Sequence, residues 1–217
     1  MKETIVSFDV DGTLVKPEYN ELVWFKEIPE LYAKKYKVDF EKAKKLVIEE
    51  YEKVGENDIK WYMLDYWLKY FGFEVSEIEV LEKYAKEVRL YPEVIPVLDL
   101  LKGKDYMLII ASAMSKNFIE VKLKGSGIYK YFKKIFSAVS DYKMIKKEKK
   151  FYQKICEELE ISPSSLIHIG DNYEADYLAP SKIGVRAFYL NRINSSLSTP
   201  KSYEISTLED LIKKLKI

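Results

Sequence analysis

Residues 7–15 read Ser-Phe-Asp-Val-Asp-Gly-Thr-Leu-Val. The apolar residues Ile5, Val6 and Phe8 lead into the two acids and have the character of a buried strand. Side chains two apart on a strand share a face, so Asp9 and Asp11 project the same way while the strand lasts. Gly12 then permits a positive φ or a close backbone approach. Two like charges so near each other repel, and burying them unpaired is costly. Either a cation compensates or one carboxyl keeps its proton. Alone, the pattern also suits a strand running into an acidic surface turn. It does not suit a calcium loop of the EF-hand type: Gly12 stands at loop position four rather than six, and Asn20 occupies the place of the closing Glu.

The chain of 217 residues suffices for one large domain, or for one domain carrying an insertion. At 47% hydrophobic and 33% charged it has the composition of a packed core with a charged surface. With 36 basic and 35 acidic residues it lacks the basic excess of a nucleic-acid binder. The apolar run near the N-terminus is too short for a signal peptide, and carboxylates interrupt it. No stretch approaches the roughly 18 apolar residues of a membrane helix. The single cysteine, Cys156, lies in an amphipathic helical pattern and suits a small buried thiol. These features place the protein in the cytoplasm, where the sequon Asn194-Ser195-Ser196 would be chance. Abundant charge with a single glutamine, Gln153, resembles thermophile usage.

Hydrophobic periodicity divides the chain in three. Residues 4–10 form a first strand. Residues 20–88 carry only helical patterns, among them Glu41–Lys53 and Ile59–Tyr70. From residue 91 strands alternate with helices: strands at Met107–Ala111, Ile135–Val139, Leu166–Ile169 and Ala187–Leu190, helices at 93–102, 116–126, 148–160 and 174–182. Ser206-Thr207-Leu208-Glu209 has capping-box form and starts a last helix to about Leu215. Such alternation implies an α/β fold, a doubly wound, Rossmann-like parallel sheet covered on both faces. The expected organisation is an α/β core of residues 1–16 and 89–217, with residues 17–88 inserted as a helical cap.

Open parallel sheets bind ligands beyond the carboxyl ends of their strands. Asp9 and Asp11 lie at such an end, and three further groups join them. Strand 107–111 ends in Ser112, whose hydroxyl, with the N–H groups that follow from Ala113 on, can donate to an anion; Ser112 equally suits a helix N-cap. Strand 166–169 ends in Gly170-Asp171, with Asp176 just inside the next helix, where its dipole favours acids. The lysine-rich run Tyr142–Tyr152 (YKMIKKEKKFY) can supply a cation, although such runs are usually solvated faces. His168, the only histidine, alternates with apolar neighbours and reads as a packed core residue without a catalytic role. A site of Asp9, Asp11, Asp171 and Asp176 offers oxygen ligands only and suits a hard cation such as Mg²⁺. Beside an anion cradle, it points to phosphoryl transfer.

These residues resemble, in order, the four motifs of the haloacid dehalogenase-like hydrolases: DVDGT at 9–13, Ser112, a lysine ahead of FYQKICEELEISP, and GDNYEAD at 170–176. The insertion resembles the helical cap of one subgroup. The resemblance implies a phosphatase for a small phosphorylated metabolite. Asp9 would be the nucleophile forming an aspartyl-phosphate, and Asp11 the general acid and base. Mg²⁺ would be held by Asp9, the backbone carbonyl of Asp11, and Asp171, with Asp176 as ligand or just behind. Gly12, Ser112, Ala113 and a lysine would hold the phosphate. Spacing back from Phe151 favours Lys146, with Lys147 next and Lys143 behind.

Two features depart from the family pattern: Ala113 replaces the Asn that often follows the second motif, and no proline follows the lysine. An acid at Asp11 separates the phosphatases from the metal-free dehalogenases. A phosphomutase would use the same aspartates with a second phosphate site on the cap. A receiver module, phosphorylated on aspartate but non-catalytic, would carry its acceptor on a later strand and lack the insertion. Residues 17–88 hold nearly half of the chain's aromatic residues. Their density suits the core of a small helical domain, with an aromatic wall for the leaving group or a dimer contact as alternatives. The expected partner is the small-molecule substrate, with no nucleic acid or membrane, for a monomer or homodimer.

Overall fold

In the computed structural model, which describes residues 4–193 and 200–217, six strands form one parallel sheet. They are β1 (Ile5–Phe8), β2 (Met107–Ser112), β3 (Lys134–Ser137), β4 (Leu166–Gly170), β5 (Arg186–Leu190) and β6 (Glu204–Ile205), in the order β3-β2-β1-β4-β5-β6. β1 is central: Phe8 is in register with Ile110 of β2 on one side and Ile169 of β4 on the other. The strand order reverses direction between β1 and β4, which opens the crevice where such sheets bind ligands. The sequon at 194–196 lies outside the described residues.

The period of two along each strand sorts the two faces. Val6, Phe8, Leu108, Ile110, Ile167 and Ile169 pack on one face. There they meet α6 (Val94–Lys102), α7 (Lys116–Gly125) and α11 (Leu208–Leu215). Ile5, Ile109, Ala111 and Leu166 pack on the other, against Phe151, Tyr152 and Ile155 of α9 (Lys149–Glu158). Cys156 is buried there as a free thiol.

Between β1 and α6 the chain is helical. α1 (Glu18–Leu22) continues through a π-helical turn, Val23–Glu27, into α2 (Ile28–Tyr36); α3 (Phe40–Val54), α4 (Leu64–Tyr70) and α5 (Glu77–Lys83) follow. The segment leaves and rejoins the sheet side by side: the N–H of Lys16 donates to the carbonyl of Arg89 (2.9 Å), and Val15 pairs with Leu90. The helix expected over 59–70 is broken at Met63 into a 3₁₀ turn, Ile59–Tyr62, and α4. Trp67 fills the centre of the segment, its ring 4.6 Å from that of Tyr51 and 5.7 Å from that of Phe71. Most of the dense aromatics therefore serve the segment's own core, while Tyr70 remains exposed.

Some elements differ from the expectation. The strand expected to run to Val139 ends at Ser137, where the Ser137 hydroxyl accepts from the Ser140 N–H and starts a short helix, α8 (Ala138–Tyr142). Residues 173–178 form a π-helical turn before a one-turn α10 (Ala179–Ser181). The last capping box is shifted by one residue: Thr207 is the N-cap, and the Asp210 carboxylate accepts from the N–H of Ser206 and of Thr207.

Trp67→Ala should cost about 3–5 kcal/mol in urea denaturation, because it empties a packed aromatic cluster. Tyr70→Ala, on the exposed side of the same helix, should cost less than about 1 kcal/mol.

Candidate active site

Asp9 follows β1 directly, its N–H held by the carbonyl of Ile169 (2.9 Å). Its carboxylate accepts from Nζ of Lys147 at 2.5 Å. The same ammonium donates to Oδ1 of Asp176 at 2.5 Å. All three side chains are buried. Asp171, just beyond β4, completes a group in which one oxygen from each of Asp9, Asp171 and Asp176 lies within 4.8 Å of the others. Two glycines make the crowding possible. A Cβ on Gly12, whose φ is +72°, would stand 1.9 Å from Asp171 Oδ2, and one on Gly170 would stand 2.2 Å from Asp176 Cγ.

Asp176 is the best-satisfied acid. Besides Lys147, its Oδ1 meets Nε2 of His168 (2.9 Å), and its Oδ2 accepts from the Asn172 N–H (3.0 Å). His168 Nδ1 lies 2.6 Å from Ser7 Oγ, so a neutral ring with the proton on Nε2 completes the chain. Burial holds His168 below its ordinary pKa, which agrees with a neutral ring. Burial alone would raise Asp176, but Lys147 and His168 reverse this and hold it well below the carboxylate range. Asp9 is pushed up to about 7, by burial first, with Lys147 pulling it back and Asp176 and Asp171 adding repulsion. Asp171 reaches solvent, yet its carboxyl is pushed up to about 6, by desolvation and then by Asp176. One ammonium thus falls short of neutralising three carboxylates. That deficit, together with an oxygen-only donor set, fits a hard divalent cation.

The residues expected from the sequence come together in the fold. Asp9, Asp11, Gly12, Ser112, Ala113, Lys146, Lys147, Asp171 and Asp176 all line one cavity of about 1120 Å³. The preferred lysine changes, however. Lys147, not Lys146, is buried against Asp9, whereas Lys146 is exposed at the rim. The turn before α9 decides this, since only one of two adjacent side chains can face inward. Asp11 also departs from expectation. β1 ends at Phe8 and the chain turns at Gly12, so the shared strand face is lost. Asp9 points towards α9, whereas Asp11 turns to α7 and sets both carboxylate oxygens on Lys122. Its side chain lies outside the acidic triad. Ser112 is buried, and Ser115 rather than Ser112 is the N-cap of α7.

Three residues outside the expected site set support it. Lys122 looks like any charged position of an amphipathic helix. His168 was read as core, and it is core, but it also orients Asp176. Arg192, just past β5, donates to the carbonyls of Gly12 (3.0 Å) and Thr13 (2.9 Å). Its guanidinium lies 3.6 Å from the ring centre of Tyr91 and 2.8 Å from Glu93, so it fastens the turn after β1. Its place at the carboxyl end of a strand was the available signal.

Known proteins resemble this chain over most of its length. The model of the haloacid dehalogenase-like hydrolase family matches residues 4–184. A GMP/IMP nucleotidase of Escherichia coli, YrfG, is 24% identical over 181 residues, covering 83% of this chain and 79% of the relative. An (S)-2-haloacid dehalogenase 4A of Burkholderia cepacia is 26% identical over 130 residues, covering 60% of this chain and 54% of the relative. Among solved structures, a HAD phosphatase from Thermococcus onnurineus superposes with a TM-score of 0.83 at 26% identity, covering 98% and 97% of the two chains.

Removing the buried ammonium should leave Asp9 and Asp176 repelling each other. Lys147→Met is expected to destabilise the protein by about 3 kcal/mol or more, against under about 0.5 kcal/mol for Lys146→Met. The Lys147→Met loss should be larger at pH 8 than at pH 5, because an acid whose pKa is raised in the fold destabilises it on ionising. Denaturant titrations of both variants at the two pH values test this.

Proposed function

The chain belongs to the haloacid dehalogenase-like hydrolase family, and from that premise we propose that it is a Mg²⁺-dependent phosphohydrolase acting on a small phosphate monoester. The observation that carries the reading is the triad of Asp9, Asp171 and Asp176 around the Lys147 ammonium. A metal-free dehalogenase has no evident use for this surplus of acids. Asp9 and Asp171, with the Asp11 carbonyl, would hold the cation; Asp176, saturated by Lys147, His168 and Asn172, would hold Lys147 in place. When bound, the cation supplies charge neutralisation between nucleophile and phosphate.

The chain's own groups then divide the work. The Asp9 carboxylate attacks phosphorus in line and displaces the leaving alcohol, giving an aspartyl-phosphate. Asp11 delivers a proton to the departing oxygen, then takes one from the water that attacks the intermediate and frees Asp9. Lys147, Ser112 and the N–H groups from Ala113 on bear the charge on the phosphoryl oxygens. The helical segment 17–88 acts as a cap over the opening, where Asn20 and Tyr62 line the cavity alongside Tyr91. Its volume of about 1120 Å³ accommodates a nucleoside monophosphate, the substrate class in the name of the nucleotidase relative.

Purified protein should release phosphate from p-nitrophenyl phosphate and from at least one member of a nucleoside 5′-monophosphate panel. Chelation with EDTA should abolish release and added Mg²⁺ restore it. Asp9→Asn should lower kcat by at least about 1000-fold while thermal melting stays that of a folded protein. Chloride release from 2-chloropropionate in EDTA, with no phosphate release in Mg²⁺, would instead identify a dehalogenase.

A further inference from the structure

Lys122 sits within α7 with none of its side chain exposed. Its ammonium donates to Asp11 Oδ1 at 2.6 Å and to Oδ2 at 2.8 Å. The rings of Phe118, one turn earlier on the same helix, and of Tyr19, from α1, flank it with Nζ 5.5 Å from each ring centre. Tyr19 is itself fixed, its hydroxyl donating to the carbonyl of Leu81 in α5 at 2.7 Å. The neighbours Ile119 and Leu123 are fully buried, so the helix presents an apolar, packed surface around the charge.

Lysine is almost never fully buried unless paired. Stability alone gives weak reason to keep it here. An apolar residue of similar volume would fill the same space without desolvating an ammonium, and such replacements of whole buried pairs are often neutral or stabilising. What the lysine does provide is position. Asp11 stands after the end of β1, on a turn that no longer fixes its side chain, and Lys122 grips both of its oxygens from the side away from Lys147. Bidentate contact leaves the remaining lone pairs of the carboxyl for a group in the cavity.

Resting on the phosphohydrolase reading, we propose that Lys122 is a positioning residue that aims Asp11 at the leaving group. In the first step Asp9 bonds to phosphorus, the bond from phosphorus to the leaving oxygen breaks, and the Asp11 proton moves to that oxygen. The carboxylate left on Asp11 faces the Lys122 ammonium, which meets the new charge without moving. In the second step water attacks phosphorus, its proton returns to Asp11, and Asp9 is released with inorganic phosphate. Lys122 touches neither phosphate nor metal in this scheme. It acts through Asp11 alone.

That restriction gives a signature that loss of packing would not produce. Phosphoryl transfer from an alkyl phosphate needs a proton on the departing oxygen, whereas p-nitrophenolate departs without one. In Mg²⁺, Lys122→Met should lower kcat/KM for a nucleoside 5′-monophosphate that the wild type hydrolyses by about 100-fold, and for p-nitrophenyl phosphate by less than about 10-fold. Lys122→Arg should recover part of the selective loss. Equal losses on both substrates, or no loss on either, would overturn the proposal. If Lys122→Met does not fold, the comparison moves to Asp11→Asn against Asp11→Asn/Lys122→Met, which buries no unpaired ammonium. Equal kcat/KM on the nucleotide supports the proposal, and a further tenfold fall in the double variant overturns it. A wild type that releases phosphate from no monoester would instead overturn the functional reading itself, before any variant is made.

Discussion

Carboxylates gathered in a crevice repel one another and resist leaving water, so a fold that gathers them needs fixed positive charge at the same point. In this protein that charge is the Lys147 ammonium, shared at 2.5 Å by Asp9 and Asp176. The surrounding structure serves that contact. β1 and β4, adjacent in the sheet, bring Asp9 and Asp171 to one end. Gly12 and Gly170 leave room where any side chain would collide with Asp171 or Asp176. Ser7 and His168, in register on the neighbouring strands, extend the support beneath Asp176.

A second consequence is the separation of two acids only two residues apart. Because β1 ends at Phe8, Asp9 and Asp11 diverge, one to Lys147 on the α9 side and the other to Lys122 on the α7 side. Distinct partners give them distinct environments, the condition under which like carboxyls take different parts in one reaction. The helical segment is tied into the same arrangement, since the Tyr19 ring walls the Lys122 ammonium while Asn20, the next residue, lines the cavity.

Much of this was legible in the sequence because it rests on local pattern. Buried parallel strands are continuous apolar runs, and Asp9, Ser112 and Asp171 each stand where such a run ends. The rest depended on tertiary contacts that leave little local trace. Lys146 and Lys147 are adjacent in a loop whose path is set by α8 and α9, so spacing from Phe151 could not fix which faces inward. Lys122 lies among the charged residues of KNFIEVKLKG, and only the packing of Tyr19 and Phe118 distinguishes it from Lys124, which pairs with Glu120 at the surface. The shared face of Asp9 and Asp11 failed because it assumed a strand longer than the one that forms. The aromatic-rich helices resolved towards a packed core because Trp67 and Phe71 face inward on α4 and just beyond it.

The proposed hydrolysis requires that Asp9 become covalently phosphorylated. Turnover of a phosphate monoester quenched in acid, followed by proteolysis and mass spectrometry, reads this directly. One phosphoryl group is expected, mapped to the peptide containing Asp9 and lost on treatment with hydroxylamine. Phosphate release at full rate from a protein that never carries a phosphoryl group, or that carries it on another residue, would contradict it.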